Sequence, residues 1–88
     1  MQNLAVPTFP ILRGLMAKYG VKCKHLGELI GQTPQSISNK MQLHNDFTFL
    51  EMMKIWKYFN TKGESVTFNA LFFDWALSNE EVSRKILK

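Results

Sequence analysis

Only one cysteine occurs in the 88 residues. Cys23 alone closes no intramolecular disulfide and builds no zinc-type cluster, which fits a reducing compartment. The dipeptides Asn-Gly and Asp-Gly, strong hairpin signals, are absent, as is sustained apolar-polar alternation, and this argues against a β-sheet. No apolar run approaches the roughly 18 residues of a membrane span. The opening MQNLAVPTF has neither the basic start nor the long apolar stretch of a secretion signal, so a cytoplasmic chain with no membrane partner is expected. Glycine-rich phosphate loops, paired buried acids and Ser/His or Cys/His arrangements do not stand out either; neither an enzyme nor a bound cofactor or metal is expected. Acid is scarce in one half. Residues 1–44 carry Arg13, Lys18, Lys22, Lys24 and Lys40 against Glu28 alone, whereas the remainder balances six basic with six acidic residues, so the whole net charge of +4 belongs to the first half. Such a distribution favours a polyanionic partner without naming it.

What is present is apolar periodicity near 3.6, which predicts an all-α bundle of about five to six short helices in one domain. The boundaries read as a tail or arm over 1–9, a domain over 10–76, and a C-terminal helix over 77–88. A first helix is expected from Pro10 to Lys18, burying Leu12, Leu15, Met16 and Tyr19 and ending at Gly20. A second should run from Cys23 to Ile30 and close at Gly31. Thr33 as N-cap and Pro34 at the first position then start a third at once. Thr48-Phe49-Leu50-Glu51 is a capping box with Phe47 and Met52 placed as a hydrophobic staple, opening a fourth helix that ends near Phe59. A short helix capped by Thr67 is expected from Phe68 to Trp75. A second capping box, Ser78 to Glu81, opens the last, whose basic end suits the helix dipole.

Functional weight falls on residues 22–41, two helices joined by the three-residue turn Gly31-Gln32-Thr33. This is the spacing that lets one helix brace the next for entry into a DNA major groove. Gly27 is read as the small residue where the helices cross, and Ile37 as the wedge between them. On a helical wheel Pro34, Ile37 and Met41 face inward, with Ser38 at the edge; Gln35, Ser36, Asn39 and Lys40 form a polar outward face without an acid. Gln35 and Asn39 share an edge and carry the donor-acceptor amides that can pair with adenine N6 and N7; they are the expected base readers, with Ser36 beside them. Phosphate contacts are expected from Lys22, Lys24, Thr33, Lys40, Gln42, His44 and Asn45. His25 and Cys23 point about 160° apart on one helix and cannot chelate together.

Those residues carry a resemblance. The stretch from His25 to Phe59 is similar to the Cro/repressor helix-turn-helix family, also called XRE-like, of phages and prophages of Gram-positive bacteria. The matching positions are Leu26-Gly27, Gly31, Thr33, Ile37 and Phe47-Thr48 with Glu51, and the likeness extends over about Leu12 to Phe73. It implies a lambda-repressor-like fold and a transcription regulator that binds double-stranded operator DNA. Pro34 where members often carry a polar reader, Lys22 in place of a Ser/Thr/Asn cap, and Gly27 in place of alanine are departures. The chain has no room for the self-cleaving domain of large repressors, which favours a Cro-like regulator.

Nine of the eleven aromatic residues follow residue 46. A small domain cannot easily bury all of them, so a homodimer is expected through Trp75, Leu77, Val82, Ile86 and Leu87, matching a pseudo-palindromic operator. The alternative is a protein-interaction module, an antitoxin-like or anti-repressor partner, that keeps the scaffold and binds through its aromatic half.

Overall fold

The computed structural model describes residues 8–77, which form six helices and no strand. They are α1 (Pro10–Tyr19), α2 (Cys23–Ile30), α3 (Pro34–Met41), α4 (Phe49–Thr61), α5 (Phe68–Phe72) and α6 (Asp74–Leu77). None of these is long and apolar enough to cross a membrane. The all-α expectation holds, and α2 spans the very residues read from the sequence.

The caps explain why the boundaries were legible. Thr33, Thr48 and Thr67 each accept a hydrogen bond from the backbone N–H three residues on, satisfying an otherwise orphaned donor. Gly20 and Gly31 end α1 and α2 in the left-handed region, at φ 66° and 75°. One helix departs from expectation: the single helix foreseen from Phe68 to Trp75 breaks at Phe73, where the backbone leaves helical geometry and α6 starts afresh.

Leu12, Leu26, Ile37, Ile55, Phe59 and Leu71 have essentially no exposed surface. They come from α1, α2, α3, α4 and α5, so one core serves all five helices. α2 packs on both α3 and α4, while α5 bridges α1 and α4. Of the tail or arm expected over residues 1–9, the two described residues lie against the domain as an arm would. Thr8 and Phe9 are buried, and the Phe9 ring meets Phe47 edge-on at 5.5 Å and Trp75 at 5.0 Å. Apolar area, not chain position, puts Phe9 inside. Residues 1–7 lie outside the described residues, as does the helix expected from Ser78.

Candidate nucleic-acid interface

The turn between α2 and α3 sits directly on Gly27. A Cβ placed there would lie 2.3 Å from the carbonyl oxygen of Gln32, and the Gln32 N–H itself bonds the Gly27 carbonyl at 2.8 Å. The turn therefore folds back across the last turn of α2, and only glycine leaves it room. Ile37 is fully buried beneath and Met41 nearly so. Pro34 does not join them as the wheel suggested; it is exposed, because the first residue of α3 projects past the end of the core.

On the other side α3 shows an uncharged polar edge tied together by side chains one turn apart. Gln35 Nε2 donates to Asn39 Oδ1 at 3.1 Å. Ser36 Oγ donates to Gln32 Oε1 at 3.0 Å, and Gln42 Nε2 to Ser38 Oγ at 2.9 Å. Gln35 is exposed; Ser36 and Asn39 are half-buried. The expected readers thus stand side by side. Gln32, Ser38 and Gln42 complete the network, and sequence reasoning missed the first two as participants, though their spacing of four from Ser36 and Gln42 was a usable signal.

Lys40 does not belong to this face. Its side chain is buried, with Nζ 2.7 Å from Glu51 Oε1 and 6.0 Å from the Phe47 ring centroid. The phosphate role expected of Lys40 is therefore withdrawn. Lys40 lies on the flank of α3 only about 60° around the helix from Ile37, which swings its long stem toward α4. There Glu51, fixed by accepting the Thr48 N–H at 2.9 Å, offers a carboxylate. Burial pushes the Glu51 carboxyl up, but the Lys40 ammonium and the Thr48 amide outweigh it and hold it below the ordinary carboxylate range.

Arg13 is exposed, but its guanidinium is held by bonds within the domain. Its Nε donates to the Thr8 carbonyl at 2.6 Å, and its Nη2 to Thr8 Oγ1 at 2.8 Å and to the Met41 carbonyl at 3.3 Å. A cation is thereby set at the C-terminal end of α3, where the helix dipole is negative. The cations left outward around the motif are Lys22 and Lys24 at the start of α2, both exposed. Lys22 has the extended backbone of an N-cap without a capping side chain; instead His25 Nδ1 accepts its N–H at 3.0 Å. Thr33, Gln42, His44 and Asn45 are exposed around α3. Thr33 caps Ser36 through its oxygen and keeps its hydroxyl proton for an outside acceptor.

Among the subunit-contact candidates, Trp75 is half-buried against Phe9, so much of its ring serves the core, whereas Leu77 is 59% exposed. Val82, Ile86 and Leu87 lie outside the described residues. Larger exposed apolar side chains occur elsewhere: Phe49 and Leu50, 63% and 70% exposed, open α4. Phe49 continues through Phe68 to Phe73 in ring contacts of 6.0 and 5.8 Å. The signal was present, since both residues fall off the Met52-Ile55-Phe59 stripe that α4 buries. No three His, Cys, Asp or Glu side chains gather as a metal set among the described residues.

Comparison of the chain with protein-family models, with curated proteins and with solved structures gives no match.

Proposed function

We propose that the chain is a sequence-specific DNA-binding transcription regulator of Cro-like type, which lays α3 in the major groove of its operator. The observation that carries this reading is the close seating of the turn on Gly27, which braces α3 while its amide edge stays outward. A helix that served packing alone would not need an acid-free edge of Gln, Ser and Asn within the half of the chain that carries its net positive charge. Lys22 and Lys24 take phosphates at the start of α2, assisted by the free amides there, and Gln42, His44 and Asn45 take them beyond α3. The sequence resemblance to the Cro/repressor family supports the same role. Two copies on a pseudo-palindromic site would present their α3 helices to successive major grooves about 34 Å apart.

The test is Asn39→Ala in equilibrium binding against a selected site and against random duplex. A loss of about 1–3 kcal/mol on the selected site, with little change on random DNA, is expected. Equal losses on both, or none, would remove α3 as the reader. The exposed run of Phe49, Leu50 and Phe73 favours a second reading, a protein-interaction module on the same scaffold, which gains ground if no duplex is preferred.

A further inference from the structure

The guanine-reading side chain of most major-groove helices is a cation, because Arg and Lys match the two acceptors O6 and N7 that guanine presents. Within α3 the only cation is Lys40, and it is spent on Glu51 at 2.7 Å. Adenine presents an acceptor, N7, beside a donor, N6–H, and one carboxamide satisfies both.

The Gln35–Asn39 bond ties the Asn39 amide in place on the outward edge of α3. Because Gln35 Nε2 donates to Asn39 Oδ1, that oxygen is held in place and its second lone pair remains open, while both protons of Nδ2 stay free. An adenine edge would give N6–H to the oxygen and take a proton on N7. A guanine edge would set O6 against Asn39 Oδ1, acceptor against acceptor. Rotating both amides by half a turn keeps them bonded, now from Asn39 Nδ2 to Gln35 Oε1, and still leaves Asn39 a free proton beside an open acceptor oxygen, the pattern of adenine and not of guanine. Ser36, whose hydroxyl proton is already given to Gln32 Oε1, offers no competing guanine donor.

Resting on the DNA-reading role of α3 proposed above, we infer that the base pairs read by α3 are A·T, with adenine recognised by Asn39 and Gln35 acting as the positioning residue that orients its amide. This narrows the ligand from operator DNA in general to operators whose α3-contacted positions lack guanine.

The experiment is selection from a randomised duplex pool with the full chain, repeated with Asn39→Ala and with Gln35→Ala. The positions whose preference relaxes in the variants mark the base pairs beneath these side chains. They are expected to be A·T, and replacing the adenine there by 7-deazaadenine should weaken binding by about five-fold or more, as loss of one base-edge hydrogen bond implies. Both variants should relax the same position. Relaxation at a G·C pair, or sensitivity there to 7-deazaguanine, overturns the inference while leaving α3 as a reader. An enriched site that neither variant relaxes overturns it as well. Absence of any enriched sequence removes the DNA-reading role itself, a distinguishable result. Gln35 is exposed, so its variant keeps the test decisive if Asn39→Ala folds poorly.

Discussion

Two glycines on neighbouring helices answer to opposite rules. At Gly27 an added methyl meets a backbone oxygen 2.3 Å away, which no side-chain rotation relieves. Gly27→Ala should destabilise by about 1–3 kcal/mol, the usual cost of overpacking, although a methyl is as small as side chains come. At Gly14, inside α1, a Cβ meets nothing within 4 Å. Gly14→Ala should stabilise by about 0.8–1 kcal/mol through helix propensity. Urea denaturation of both variants checks the pair, and equal shifts would refute the crowding at the turn. Glu51 supplies a pH signature. Its carboxyl is held low in the folded state by Lys40 and Thr48 against the pull of burial, so its stabilisation is present above the ordinary value near about 4.3 and disappears as pH falls through the lower folded value. Glu51→Gln should cost about 1.5–3 kcal/mol at neutral pH, the worth of a charge-assisted hydrogen bond, and should flatten the decline in stability below about pH 5. A variant whose midpoint falls with acid as steeply as the parent would deny the pair that role.

At the scale of elements, α3 is anchored more firmly at its C-terminal end than a two-turn helix requires. The Met41 carbonyl accepts from Thr8 and Arg13, Lys40 bonds Glu51, and Leu43 takes a left-handed φ of 65° that lets the His44 N–H reach the Asn39 carbonyl at 2.8 Å. That closure is a Schellman motif built on leucine instead of glycine. The start of α2 is the reverse case. Lys22 has the backbone of an N-cap and the wrong side chain, since an ammonium cannot accept from the helix amides. Lys22→Ser should therefore raise stability by about 0.5–1 kcal/mol. If Lys22 meets a phosphate, the same change should weaken binding to every duplex alike and lower the salt dependence by about one counterion. An unchanged salt slope would take Lys22 off the phosphate backbone. Where Lys22 does meet a phosphate, its replacement moves stability and binding in opposite directions, a trade that a capping residue chosen for the fold alone would avoid.

For the molecule as a whole, the shared core leaves Phe49, Leu50 and Leu77 largely outside. Together with the apolar Val82, Ile86 and Leu87 of the C-terminal segment, Leu77 is the place where a second copy is expected. Light scattering on the full chain should give the mass of a dimer at micromolar concentration, and Leu77→Glu should shift it toward monomer. The same variant should bind a palindromic site more weakly while losing little on a half-site, because linking two half-sites multiplies affinity. A monomer at high concentration, with and without DNA, would end the dimer proposal.

Local chemistry was enough to locate α2, α3 and the opening of α4. Threonine caps, terminal glycines and a 3.6-residue apolar period act within a few positions of one another, and each can be read along a line. The small residue at position 27 and the outward amides followed from the same spacing. Distant partners could not be read in this way. Along the sequence Lys40 reads as an outward phosphate contact, yet Glu51 on another helix takes it; Phe9 joins the core through rings dozens of residues away, and the helix read from Phe68 to Trp75 breaks at Phe73. Only the folded arrangement decides these, because the energy of an ion pair or a ring contact depends on distances between segments that the order of residues does not state.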